Sequence, residues 1–81
     1  MPIVYTSLSI VTTDFPDQGE TIKRLFRKNE AFQNLCEDYR KCSEALKYWN
    51  KSVSEEAPAR REEYGSLLQD LKEEILQTVN E

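Results

Sequence analysis

The longest regular pattern in the chain runs from Phe32 through Leu35, Tyr39, Cys42, Leu46 and Trp49 to Val53, at successive steps of 3, 4, 3, 4, 3 and 4. That alternation keeps one apolar seam on one side of an α-helix, and no Gly or Pro interrupts it, so it predicts a helix over about 30–53. A second stripe, Tyr64, Leu67, Leu68, Leu71, Ile75 and Val79, predicts a helix over about 57–79. Between them Lys51 to Ala57 reads as a break, with Ser52 and Ser54 as caps, Glu55 and Glu56 near a helix start, and Pro58 at a first-turn position. Ahead of both, Phe15-Pro16-Asp17 reads as a helix entry, and Ile22, Leu25 and Phe26 form a short apolar face, giving a leading helix over about 16–28. Asn29 either caps the next helix or sits at a bend.

Two helices of similar length joined by a short polar turn fold back on each other and bring their stripes together. The predicted fold is therefore all-α: an antiparallel two-helix hairpin, coiled-coil-like, with a short leading helix, spanning residues 14–81 as one domain. Trp49 lies near the turn and Phe32 near Ile75 and Val79 in this arrangement. Residues 1–13 are different in kind. Ile3, Val4, Tyr5, Leu8, Ile10 and Val11 are strand formers with no second strand in the chain to pair with. They predict an extended N-terminal arm, either loosely ordered or adding a strand to a partner.

Composition narrows the functional classes. Of the 81 residues, 38% are hydrophobic and 32% charged, with two Gly, three Pro and no His. A chain of this size buries only about 60% of its unfolded surface, so two helices leave part of their stripes uncovered. The leading helix or a second chain is the natural cover, which predicts a homo-oligomer or another protein partner. Without His, serine-type and cysteine–histidine catalysis is ruled out, and two thiols alone do not complete a tetrahedral zinc site. No cofactor, metal or small-molecule substrate is implied. The apolar start is broken by Thr6, Ser7 and Ser9 and lacks a basic leader, so no membrane span or signal peptide is predicted, and the expected location is cytoplasmic.

Fifteen acidic against eleven basic residues give a net charge of -4, which argues against general binding to nucleic acid. The charge is segregated. Residues 1–29 carry three acids and four bases, 30–53 carry four of each, and 54–81 carry eight acids against Arg60, Arg61 and Lys72. Lys23, Arg24, Arg27 and Lys28 are the one local basic cluster and the candidate anion-binding site, with i, i+4 spacing placing Lys23 with Arg27 and Arg24 with Lys28. Candidates for partner binding or self-association are Phe32, Tyr39, Leu46, Tyr48, Trp49, Leu67, Leu71 and Ile75. Tyr48 lies off the seam, where an exposed ring beside Trp49 enlarges an apolar patch. Cys42 falls on the seam as a small core residue and Cys36 beside it, partly exposed. The adjacent carboxylates Glu55/Glu56, Glu62/Glu63 and Glu73/Glu74 point about 100° apart on a helix and read as a solvated face rather than as acid–base pairs.

Asp14-Phe15-Pro16-Asp17, then Ile22, Leu25, Asn29, Phe32 and Leu35 at those intervals, and Leu71-Lys72-Glu73-Glu74-Ile75-Leu76 resemble the YdcH-like family of small bacterial proteins of unknown function. The resemblance covers about residues 14–76 and implies a cytoplasmic bacterial helical hairpin with no assigned catalytic residue. Residues 1–13 and the turn, with Trp49 and Glu55-Glu56-Ala57-Pro58, depart from that pattern. The function expected is that of a small non-enzymatic helical interaction module, acting through an incompletely buried apolar stripe. Anionic-ligand or nucleic-acid binding through residues 23–28 is the alternative.

Overall fold

A computed structural model describes residues 2–80 and the side chains from residue 6 onward. Met1, Glu81 and the side chains of Ile3, Val4 and Tyr5, part of the predicted arm, lie outside the described residues. The fold is all-helical. In chain order the elements are α1 (Pro2–Asp14), a single 3-10 turn (Pro16–Gln18), α2 (Gly19–Lys28), α3 (Glu30–Lys51) and α4 (Ala57–Asn80). At ~1.5 Å per residue, α3 with 22 residues and α4 with 24 are rods of roughly 33 and 36 Å.

Residues 2–14 form a helix, not the predicted extended arm, and that helix docks on the chain's own α3. Leu8, Val11 and Phe15 lie at helical steps, and Val11 is fully buried in the core while Leu8, Ile10 and Phe15 pack against it. Ser7, one turn before Val11, is also buried, and its hydroxyl donates to the Glu37 carboxylate. At the other end the Tyr39 hydroxyl donates to Asp14 at 2.6 Å, and the Tyr39 ring lies 5.9 Å from that of Phe15. Strand propensity is a weak preference that burial against a neighbouring element overrides. No second strand exists among the described residues to reward the extended form.

The leading helix begins later than 16, because Pro16–Gln18 makes one tight turn before α2 starts at Gly19. Ile22 and Phe26 are its buried residues. Asn29 resolves as a cap: its backbone is extended, its side chain accepts from the Phe32 amide at 3.1 Å, and the chain turns from α2 into α3 at that one residue. Gln33 reaches back to donate to the Phe26 carbonyl at 2.6 Å, which satisfies an acceptor at the open end of α2.

Helix α3 ends at Lys51, two residues short of 53, where Ser52 adopts an extended backbone. The predicted last member of the seam, Val53, therefore lies in the turn and is 100% exposed. Helix α4 begins as predicted at Ala57, itself buried, with Pro58 in the first turn, where its missing N–H has no intrahelical partner to lose. The long helices are tied by backbone acceptors: Arg61 donates to the Trp49 carbonyl at 3.2 Å and the Cys42 thiol to the Tyr64 carbonyl at 3.4 Å. Phe32, Cys36, Tyr39 and Cys42 of α3 share one buried cluster with Val11, Ile22, Phe26, Leu71 and Ile75, and Val79 packs against it. Cys36, expected to be partly exposed, is fully buried, because α1 packs along α3 on this side. Leu46 and Trp49 are only half-buried, since they lie beyond the part of α3 where Tyr39 and Cys42 close the core.

Candidate protein-docking groove

With α1 and α2 packed on α3, a trough between α3 and α4 stays open. Cys42, Ala45, Tyr64, Leu67 and Leu71 make its apolar lining, with Asp38 and Lys41 at the α3 edge, and it encloses about 340 Å³. Its origin is helical geometry. Asp38, Lys41, Cys42 and Ala45 share a face of α3 by their 3–4 spacing, and Tyr64, Leu67 and Leu71 share a face of α4. Leu67 and Leu68 are adjacent and so point about 100° apart. Leu68 packs against the core, and Leu67 is left 47% exposed.

Tyr48 continues the Lys41 and Ala45 face of α3 by one more turn and is 64% exposed. Its ring meets that of Trp49 edge to face, with centroids 4.9 Å apart. Such a pairing stiffens an exposed aromatic at little entropic cost, a property of side chains that anchor protein interfaces. Of the sequence-predicted partner residues, Tyr48, Leu67 and Leu71 fall on this surface, with Leu71 forming part of its floor. Phe32, Tyr39 and Ile75 do not: they are 2%, 1% and 0% exposed, because they form the core under α1 and α2 and have no surface to offer a partner. Leu46 and Trp49 stand at the same end of α3 as Tyr48, half-buried and outside the groove lining. Residues missed from sequence are Cys42, Ala45 and Tyr64 of the lining, two of them placed on the apolar stripes and one small, together with Asp38 and Lys41 at the edge. The available signal was the Leu67-Leu68 doublet, which one face of a helix cannot bury whole.

The charged surroundings are distinct in each region. Arg40 bridges Glu37 and Glu44 on α3, the latter at 3.0 Å. The Arg40 guanidinium, and then the Ser7 hydroxyl, hold the Glu37 carboxyl down at about 2 from an ordinary 4.5. On α4, Arg60 pairs with Glu63 at 2.9 Å. Lys23, Arg24, Arg27 and Lys28 are all exposed along α2 and form no ion pair among the described residues. A smaller cleft of about 220 Å³ between α1 and α3 is lined by Ser9, Ile10, Thr13, Asp14, Ser43 and Lys47.

Both thiols are free and buried. Burial pushes Cys36 up to about 12 and raises Cys42, which opposes thiolate chemistry at either. Among the described residues no group of three His, Cys, Asp or Glu is placed to hold a metal ion, and no helix is long and apolar enough to cross a membrane. Comparison with known proteins finds no match: no family model, no curated protein and no solved structure is similar to this chain.

Proposed function

We propose that this protein is a non-enzymatic helical interaction module that binds another protein through the groove between α3 and α4. The observation that carries the reading is the open apolar trough of about 340 Å³ with Leu67, 47% exposed, in its lining. An exposed apolar surface of this kind, continued by Tyr48, marks a protein-contact site more than a solvent face. The contacts of Arg61 with Trp49 and of Cys42 with Tyr64 support α3 and α4 as an antiparallel hairpin, the arrangement in which both edges of the trough are long helices. Membership of the YdcH-like family, a cytoplasmic location and self-association as an alternative mode belong to the same proposal. A photo-crosslinking residue at position 67, expressed in the native cell, is expected to give a discrete protein adduct. The same residue at exposed Glu62, off the groove face, is expected to give none. Adduct formation that is equal at the two positions, or absent at 67, refutes the groove.

A second reading rests on α2, where Lys23, Arg24, Arg27 and Lys28 are exposed and free of ion pairs among the described residues. Such a face attracts anions, with an affinity that falls steeply as salt rises. A titration with anionic vesicles or oligonucleotides that is flat at low salt removes it.

A further inference from the structure

We infer that the occupant of the α3/α4 groove is an amphipathic helix of a partner protein that carries basic residues beside its apolar stripe; this rests on the docking reading above and adds the chemistry of the partner. The floor of the trough is apolar, but its α4 edge is acidic. Glu63, Leu67, Asp70 and Glu74 stand at spacings of 4, 3 and 4 and therefore share a face, and all three carboxylates are exposed. Arg60 neutralises Glu63, whereas Asp70 and Glu74 have no ion pair among the described residues. On the opposite edge Asp38 and Lys41 cancel. The groove thus offers an apolar centre and two unanswered negative charges along one rim.

Neither this chain's own α2 nor a second copy of the groove meets that pattern. The apolar residues of α2, Ile22 and Phe26, are buried at home, and its exposed face has cations without an apolar stripe. Two copies joined at Leu67 by a two-fold axis along the helices set Asp70 against Asp70 and Glu74 against Glu74, and a two-fold axis across them pairs α4 antiparallel, which sets Glu63 of one beside Asp70 of the other, within about one residue step along the helix. The Arg60 to Glu74 contact of that arrangement requires Arg60 to leave Glu63, which then stands bare against the like charge of Asp70. A helix with a Leu stripe and flanking Lys or Arg fills the trough and answers Asp70 and Glu74 together.

The test uses the full chain and three labelled helical peptides of about 18 residues, sharing one Leu stripe and differing only in flanks of Lys, Gln or Glu, read by fluorescence anisotropy. The Lys peptide is expected to bind tightest. The Gln peptide should be roughly 2- to 30-fold weaker, as two exposed charge pairs allow, the Glu peptide weakest, and the gaps should close at high salt. The double variant Asp70→Lys, Glu74→Lys, altered only at exposed positions, should reverse the order of the Lys and Glu peptides. Leu67→Asp should weaken all three. Equal binding of the Lys and Gln peptides that Leu67→Asp abolishes overturns the basic-flank inference while leaving the groove reading intact. A Lys preference untouched by the charge reversal also overturns it. No binding by any peptide overturns both readings, and a dimer in sedimentation that Leu67→Asp dissolves assigns the groove to a second copy instead.

Discussion

Replacing Val11 by Ala tests the docking of α1, the element that a strand reading of the N-terminus misplaces. Val11 is 0% exposed and lies in the same cluster as Tyr39, Cys36 and Ile22. The change deletes the equivalent of two methylene groups at ~0.8 kcal/mol each, and the incompletely collapsed cavity adds to this, for a cost of about 2 kcal/mol. In a domain of this size each kcal/mol moves the melting temperature by about 4–8 °C, so a drop of roughly 8–16 °C is expected in thermal melts followed by circular dichroism. Thr13→Ala, at an exposed position on the same helix, should stay within about 0.5 kcal/mol of the parent. Hydrogen exchange adds a local reading, in which α1 amides are protected in the parent and exchange faster in Val11→Ala. A Val11→Ala protein that melts with the parent, with α1 amides exchanging at free-peptide rates in both, refutes a docked helix and restores the flexible arm.

Gly65 has open space where a Cβ would stand and a backbone that does not require glycine, so Gly65→Ala should stabilise α4 by up to about 1 kcal/mol; a loss measured by urea unfolding would mean that a neighbour does approach there. Glu37 is depressed to about 2 in the fold, so its contribution is complete above its ordinary value of 4.5 and is lost as pH falls from there through about 2. The parent should thus lose more stability across that acid window than Glu37→Gln, and parallel acid profiles would contradict the Ser7–Glu37–Arg40 contacts. Cys36 and Cys42 should both resist a thiol reagent in the native state and react together in denaturant, whereas rapid native reaction of Cys36 would place it at the surface.

The three helices after residue 15 were legible because their signals agree across levels. The steps of 3 and 4 from Phe32 to Trp49 place α3, and Asn29 supplies a cap where one apolar face ends and another begins. The N-terminal helix was illegible for a physical reason. Its buried face includes Ser7, a polar residue whose hydroxyl donates to Glu37, thirty positions later in the chain. A serine on that face disguises the stripe of Leu8, Val11 and Phe15, and the β-branched residues around it favour an extended chain in isolation. Val53 failed in the opposite sense. It keeps the period of the seam, but a period has no stop signal, and the chain leaves the helix at Ser52, whose hydroxyl accepts from the Ser54 amide in the turn.

The same partition explains why the groove was only half visible. Sequence counts apolar residues on a stripe, while exposure depends on which neighbours arrive. The shortage of cover expected for a two-helix hairpin is largely met from within, because α1 and α2 close the side of α3 that bears Phe32, Cys36 and Tyr39. These residues therefore leave the set available to a partner. What stays open is narrower and differently placed: the trough between α3 and α4 on the Leu67 side, with Tyr48 one turn beyond Ala45. A surface left over after the core has closed is free to bind and release a partner without unfolding its owner. Truncating Leu67 should for that reason cost binding far more than stability, whereas truncating Ile75, fully buried, should do the reverse.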